Sequence, residues 1–241
     1  MNKKIVLSTL ILLFLMFATV MKVSAQRTVG VSSGDSFRYS ESVSWSSNDP
    51  NAKPDPTLID ENNTQWIQIY VTSVSGTNIT FQMTGHYKNG TEVGFGGWED
   101  IRTGNGVNSS AFFISANLDI GESVFDGVSS IINETVSRTY IGGGARDTNH
   151  FNASSSSENQ TLNMNYYWDK LTGALVELQF ETVNQTGTYT TTSLVDSQII
   201  YTDLWTVPEF PNWTLTLIML ASLTPIILAL SKRRQLKTLI H

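Results

Sequence analysis

The sequence LNMNYYWDKLTGALVELQF, residues 162–180, predicts a β-hairpin that decides the class of the fold. Asp169 begins a turn at its centre, and Gly173 supplies the positive φ angle that the exit of such a turn requires. Trp168 and Ala174 are therefore expected to enter two paired strands. Because side chains alternate across a strand, one face after the turn is expected to carry Ala174, Val176, Leu178 and Phe180.

Three further stretches alternate apolar and polar residues with a period of two, which is typical of an antiparallel sheet with one face in water. Their apolar members are Phe37, Tyr39, Val43 and Trp45, then Ile67, Ile69 and Val71, and then Ile79, Phe81 and Met83. Turn residues follow the second stretch at 75–78 and the third at 88–91. The sequence predicts an all-β fold, an antiparallel sheet arranged as a sandwich or as a curved half-barrel. A short helix over residues 117–130 is the one helical candidate between the two ends of the chain.

The turn of this hairpin, an aromatic residue followed by Asp, Lys and Thr-Gly and then an apolar strand, resembles hairpins in lipoprotein carriers of the LolA/LolB type. The resemblance covers fewer than twenty residues. It implies a half-barrel sheet that binds acyl chains on a concave apolar face. An ordinary core hairpin has the same pattern, because aromatic and β-branched stripes usually pack in a core.

The N-terminus is typical of a secretory signal peptide over residues 1–25. Lys3 and Lys4 form a short basic region, and residues 5–20 form an apolar region without a charge. Small residues precede the expected cleavage between Ala25 and Gln26. The alternative is an uncleaved anchor helix, and in both cases the following residues are translocated.

The C-terminus is typical of a membrane anchor over residues 213–231. Its apolar run of 18 residues, Trp213 to Leu230, measures about 27 Å as a helix against a hydrocarbon core of about 30 Å. A basic stop follows in the tail, residues 232–241, and obeys the positive-inside rule with Lys232, Arg233 and Arg234. A buried helix of a soluble domain explains neither the basic stop nor the terminal position.

The linker of residues 206–212 carries a short motif directly before this helix, namely Pro208, Glu209 and Phe210. The motif, the apolar helix and the basic cluster together resemble the PEF-CTERM sorting tails of archaeal surface proteins. The resemblance implies that a membrane-embedded archaeosortase reads the motif. It also implies that the helix is removed and that the new C-terminus passes to another anchor.

The segment between the two ends, residues 26–205, is predicted to be one extracytoplasmic domain. It holds 8 Lys/Arg and 20 Asp/Glu, a net charge of −12, while the whole chain has −6. Such an acidic surface repels nucleic-acid phosphate, so nucleic acid is excluded as an expected partner. The chain has no cysteine, which excludes disulfides, thiol catalysis and thiolate metal sites.

Asn-x-Ser/Thr sequons occur nine times, about twice the number that composition alone would give, and they mark glycan acceptors in an exported chain. Asn212 is the poorest candidate for glycosylation, because it lies one residue before the apolar run. The predicted glycosylation sites are Asn62, Asn78, Asn89, Asn108, Asn133, Asn152, Asn159 and Asn184.

Two polar stretches, residues 46–64 and residues 149–160, are predicted to be exposed loops. The first offers several acidic oxygens, but their spacing fits no calcium-binding EF-hand. The three histidines are not in ligand spacing with one another. No metal site and no cofactor is therefore predicted.

A Gly-Asp-Ser sequence ending at Ser36 and an Asp147-x-x-His150 pair match the two ends of an esterase triad. That chemistry needs a serine on a strand-to-helix turn of an α/β sheet, and no such alternation follows. No pair of carboxylates is nominated for glycoside hydrolysis. The sequence therefore predicts no catalytic residues.

Together with the resemblance of the tail, these patterns predict a non-catalytic, glycosylated cell-surface protein, anchored in the cytoplasmic membrane by its C-terminus, that serves as a structural or interaction module of an archaeal envelope. Its expected partners are the membrane, an archaeosortase, the glycosylation machinery and other envelope proteins. The second hypothesis is a carrier of a lipid or small ligand, which requires an apolar cavity. The third is a hydrolase, which requires convergent carboxylates or a Ser/His pair in a cleft.

Overall fold

The computed structural model describes residues 27–141 and 144–205. The predicted signal peptide with its cleavage site, the sorting motif, the membrane helix and the basic tail lie outside the described residues. Within them, no helix has the length and apolar character needed to cross a membrane.

Strands make up 59% of the described residues and helices 6%, which confirms the predicted all-β, antiparallel class. The elements are β1 (Ser36–Ser47), α1 (Pro56–Asn63), β2 (Thr64–Ser75), β3 (Asn78–Tyr87), β4 (Glu92–Asp100), β5 (Gly106–Val107), β6 (Glu134–Tyr140), β7 (Gly144–Ser156), β8 (Gln160–Asp169), β9 (Leu175–Thr186) and β10 (Tyr189–Thr202), with a 3₁₀ turn at Asp203–Trp205.

All ten strands belong to one open sheet with the order β5-β4-β3-β2-β1-β10-β9-β8-β7-β6. Every neighbouring pair is antiparallel. The chain runs from β1 to one edge of the sheet at β5. It then crosses to the opposite edge at β6 and returns strand by strand until β10 pairs with β1. The described residues thus form a single sheet and not the two-sheet sandwich that was one expectation.

The hairpin turn at residues 169–173 is confirmed in detail. The Asp169 carboxylate accepts a hydrogen bond from the Thr172 amide at 2.9 Å, and the Gly173 amide donates to the Asp169 carbonyl at 2.7 Å. Gly173 has a φ of 70°, and a Cβ there would lie 2.2 Å from the carbonyl oxygen of Ile114. Only glycine fits, because both the backbone angle and the close approach exclude a side chain.

The connection between β5 and β6, residues 108–133, is called the crossover segment, and the sheet face that it covers is called the inner face. Phe113 packs at the centre of that face, with ring centroids 5.7 Å from Phe37 of β1 and 6.1 Å from Phe81 of β3. The segment also bonds to the other half of the sheet, because the Leu175 amide donates to the Phe112 carbonyl at 2.8 Å. It therefore joins both halves of the sheet through one core.

The predicted helix over residues 117–130 is wrong. This part of the crossover segment consists of turns and bends, and Asn117 has a φ of 59°. Its amides bond to distant groups instead of to carbonyls four residues earlier: the Asn117 amide donates to the Lys170 carbonyl at 2.7 Å. Tertiary hydrogen bonds have replaced the helical ones.

The two predicted loops are largely regular structure. Residues 46–64 contain α1, where Asp55 caps the helix by accepting from the Thr57 amide at 2.9 Å and Pro56 occupies the first turn. Residues 149–160 belong mainly to β7 and β8, with only residues 157–159 between the strands. Cross-strand bonds stabilise this polar hairpin, such as that from Ser154 Oγ to Asn163 Oδ1 at 2.7 Å.

The predicted common face of Ala174, Val176, Leu178 and Phe180 is partly wrong. The register between β8 and β9 shifts between Tyr167 and Trp168, which places Leu175 opposite Trp168. Leu175 and Leu178 consequently belong to one cluster, with Ile114 and Trp168, while Ala174 and Val176 belong to another, which includes Phe113. One extra residue in a strand changes which side chains share a face.

Candidate functional site

The inner face has two ends that differ in what covers them. At the packed end the crossover segment fills the space over the sheet, and the residues there are buried: Phe37, Val71, Ile79, Phe81 and Phe113. At the open end the sheet surrounds a cavity of about 410 Å³. Tyr39 lies between the two ends, buried, with its hydroxyl donating to the Leu175 carbonyl at 2.9 Å.

The cavity is lined mainly by apolar side chains from five strands and from the crossover segment. The lining residues of β2, β3 and β4 alternate, as the period of two requires when one face is turned inward, whereas the register shift brings both Leu175 and Leu178 of β9 to the cavity. The apolar lining comprises Ile67 and Ile69 of β2, Met83 of β3, Val93 and Phe95 of β4, Leu175, Leu178 and Phe180 of β9, Val195 of β10, and Phe112.

Two glycines show why one end is filled and the other is not. At the packed end, a Cβ on Gly97 would lie 2.6 Å from the ring of Phe81, so that ring already occupies the space. At the open end, the nearest atom to a Cβ on Gly85 would be the Val93 carbonyl oxygen at 3.9 Å. Gly85 thus leaves empty volume on the inner face, and that volume is part of the cavity.

The cavity opens beside the edge of the sheet at β4. The short strand β5 pairs only with Trp98 and Glu99, so the first half of β4 has β3 on one side and no strand on the other. Val93 and Phe95, which line the cavity, are 48% and 41% exposed. Exposed apolar side chains at the mouth of an apolar cavity are typical of a binding site.

Three carboxylates lie at this cavity: Glu41 of β1, and Asp60 and Glu61 of α1. Burial raises the pKa of Glu41 to about 7, and repulsion from Glu61 raises it further, while a hydrogen bond with Thr64 acts in the opposite direction. Burial and repulsion from Asp55 raise the pKa of Glu61. No lysine, arginine or histidine is among the described residues that line the cavity.

A fourth acid, Glu99, is fully buried at the packed end of the inner face. Its Oε2 accepts a hydrogen bond from the Phe113 amide at 3.3 Å, and its Oε1 has no partner. Burial raises its pKa to about 8, and the hydrogen bonds from the amides of Phe113 and Phe112 only partly offset this. The carboxyl group holds the crossover segment but is closed off from solvent.

The opposite, outer face carries an ion pair that is structural in character. Arg138 donates to Glu177 at 2.7 Å and lies 4.1 Å from the centroid of the Tyr167 ring. Tyr140 also donates to Glu177, at 3.2 Å, and Gln179 donates at 2.9 Å. Burial still raises the pKa of Glu177, although Arg138 acts in the opposite direction. The carboxylate is fully satisfied and offers no free group for chemistry.

The structure does not bring the triad-like residues together. Ser36 is on β1 and His150 on β7, with the three strands β10, β9 and β8 between them in the sheet. His150 instead bonds to Glu134 and Asn165, both at 3.0 Å. Residues 27–141 and 144–205 contain no group of three or more His, Cys, Asp or Glu side chains placed to hold a metal ion.

The eight predicted glycosylation sites all lie at the surface. Each asparagine is exposed, whether in the helix α1, a strand, a turn or the crossover segment: Asn62, Asn78, Asn89, Asn108, Asn133, Asn152, Asn159 and Asn184. Asn212 and the sorting motif of Pro208, Glu209 and Phe210 lie outside the described residues.

No protein-family model matches this chain, and no curated protein matches it either. The geometry of the cavity therefore carries the functional argument. The resemblance of the hairpin implied a concave apolar face, but the sequence did not show which residues line a cavity. Glu41 was the available signal, because it is an acid at an apolar position of the β1 alternation.

Proposed function

We propose that the protein is a non-catalytic binding module, displayed at the cell surface, that holds a small apolar ligand on the inner face of its sheet. The cavity at the open end is the observation that carries this proposal. Its volume of about 410 Å³ falls in the range of roughly 300–1,000 Å³ that is usual for small-molecule sites. Its mouth at Val93 and Phe95 gives a ligand a route from solvent.

The shape of the sheet supports a carrier of the half-barrel type. One residue of the crossover segment, Phe113, contacts Phe37 and Phe81 and also forms a bridge with Ala174 beside β9. A flat sheet with five strands from β3 to β9 could not place these residues around one side chain, because neighbouring strands lie about 4.8 Å apart. The sheet is interpreted as curving around the crossover segment, with the cavity in the part of the concavity that remains.

A pair of glycine substitutions tests the binding site. Gly85→Leu places a side chain in the cavity, where the backbone leaves room for a Cβ. Gly96→Leu is the matched control, because it lies on the neighbouring strand with its nearest atom also at 3.9 Å but faces the outer side. The neutral apolar dye N-phenyl-1-naphthylamine should bind saturably to wild type and to Gly96→Leu but not to Gly85→Leu. Equal dye binding by both variants would contradict a ligand site in the cavity.

The proposed location at the cell surface rests on the two ends of the chain. The exposure of all eight sequon asparagines supports display outside the cell. We expect the mature protein to begin at Gln26, which mass spectrometry of its N-terminal peptide would show. A mature protein that retains Met1 would contradict export with cleavage.

A substitution in the C-terminal tail distinguishes two hypotheses, that the tail is a sorting signal and that it is a plain membrane anchor. A plain anchor needs only an apolar span and a basic stop, so Glu209→Ala should leave it unchanged. A processing enzyme must recognise Pro208, Glu209 and Phe210, so the same change should block release of the C-terminal fragment. Recovery of an intact 232–241 peptide from mature wild-type protein would contradict processing.

A further inference from the structure

We propose that the ligand is a cationic amphiphile, whose apolar chain fills the cavity and whose ammonium group lies beside Glu41 and Glu61. This inference rests on the proposed function and adds the chemical class of the ligand. The juxtaposition that carries it is an apolar wall on five strands with carboxylates from both β1 and α1 at one side.

The charges at the cavity all have one sign. Glu41, Asp60 and Glu61 are the ionisable carboxylates of the lining, and among the described lining residues no basic side chain balances them. The cavity therefore lacks the arginine or lysine that a fatty acid or a phosphate head group would need. A bound anion would add to the repulsion that already exists between Glu41 and Glu61.

Glu41 is the residue that a cation would affect most. It faces the cavity from the middle of the sheet and accepts from Thr64, but no basic side chain among the described residues pairs with it. A half-buried carboxylate without a counter-ion is unfavourable, since burial penalises its charged form. An ammonium group beside Glu41 would supply the missing positive charge and relieve the repulsion between Glu41 and Glu61.

Aromatic rings in the lining of the cavity fit the same head group. Tyr39, Tyr87, Phe95 and Phe112 line the cavity together with Glu41. Ring faces attract cations, and quaternary ammonium groups are commonly bound between aromatic and acidic side chains. Carboxylates and aromatic rings together favour a cation over a neutral polar head group.

The affinity for a permanent cation should depend on pH, because Glu41 titrates near neutrality. The charged groups that face Glu41 are Glu61 and Asp60 of α1, while Asp55 acts on Glu61. Because the pKa of Glu41 is about 7, its negative charge forms as the pH rises through neutrality. Affinity for a quaternary ammonium should therefore increase from pH about 6 to about 8, and that for a neutral ligand should stay constant.

The test uses three ligands with the same chain and different head groups: decyltrimethylammonium, decanol and decanoate. Each is titrated below its micelle concentration into the mature protein, with calorimetry and displacement of N-phenyl-1-naphthylamine as readouts. We expect the cation to bind about tenfold more tightly than decanol, and decanoate to bind more weakly than decanol.

The variants Glu41→Gln and Glu158→Gln complete the test. Glu158 lies in the exposed β7–β8 turn, so its substitution is the matched control. Glu41→Gln should lose most of the tenfold preference and its pH dependence while binding decanol as wild type does. If decanol or decanoate binds as tightly as the cation, the cationic class is wrong but the cavity remains a binding site. If none of the three binds, both the inference and the proposed function are wrong.

Discussion

The packed end and the open end of the inner face have the same strands and the same alternation, yet only one of them is filled. At the packed end, the rings of Phe113 and Phe81 occupy the concavity, and Gly97 allows them to approach the backbone. At the open end, Gly85 adds no side chain, and the crossover segment contributes only Ser110 and Phe112 to the lining of the cavity. One face of the same sheet therefore forms a packed core at one end and leaves a cavity at the other.

The largest effect is expected from emptying the packed end. Phe113 is 1% exposed and contacts both halves of the sheet, so Phe113→Ala should lower the free energy of unfolding by about 3–5 kcal/mol. Urea denaturation followed by tryptophan fluorescence measures this change. A loss below about 1 kcal/mol would mean that the crossover segment does not hold the two halves together.

A somewhat smaller effect is expected from the buried acid of the packed end. The pKa of Glu99 is raised to about 8 in the folded chain from 4.5, so the folded state binds its proton more tightly than the unfolded state does. The stability from this group is complete below pH 4.5 and is lost as the pH rises towards about 8. The loss should be on the order of a few kcal/mol.

Thermal unfolding at a series of pH values tests this effect. The melting temperature of wild type should fall across that interval more steeply than that of Glu99→Gln, whose amide cannot ionise. Glu158→Gln, an exposed acid in the β7–β8 turn, is the control and should behave as wild type. Parallel profiles for wild type and Glu99→Gln would show that Glu99 does not titrate in this range.

At the open end, a similar truncation should affect binding more than stability. Phe95 is 41% exposed, so Phe95→Ala should cost less than about 1 kcal/mol of stability while weakening binding of an apolar ligand about tenfold. Val107→Ala is the control, because Val107 is exposed on the neighbouring strand but does not line the cavity. A variant that unfolds like Phe113→Ala would erase the distinction between the two ends.

The smallest effect on stability is expected where neither end is touched. Asn133 and Asn184 are exposed, so changing either one to Gln should alter the free energy of unfolding by less than about 0.5 kcal/mol. Each change should nevertheless lower the apparent mass on a gel if its sequon carries a glycan. Asn105→Gln, an exposed asparagine outside any sequon, should cause no shift. Unshifted migration for every sequon variant would mean that the sequons are unused.

Local patterns predicted much of the sheet. The alternation around Ile67 and Phe81 identified β2 and β3, and Gly90 and Gly173 marked hairpin turns in which both have positive φ. These features depend on neighbouring residues only. The helix α1 also had a local signal, the Asp55-Pro56 cap, but it was outweighed by the polar, proline-rich composition around it.

The rest depends on contacts between distant residues. The path of the crossover segment is set by bonds such as that from the Ile114 amide to the Gly173 carbonyl at 2.9 Å, 59 positions apart in the printed sequence. The cavity depends on where that path stops, so a strand glycine such as Gly85 gives no sequence signal of empty space. The register shift beside Trp168 likewise arises only when β8 and β9 pair.

Photolabelling can show whether the open end of the inner face binds an apolar ligand and the packed end does not. A decyl ammonium probe that carries a diazirine on its chain would be bound, irradiated and mapped by mass spectrometry. Labels are predicted at the open end, on Met83, Phe95, Phe180 and Val195, with competition by decyltrimethylammonium. Labels on the outer face at Trp66 or Tyr70, or labelling that excess ligand does not reduce, would contradict the account.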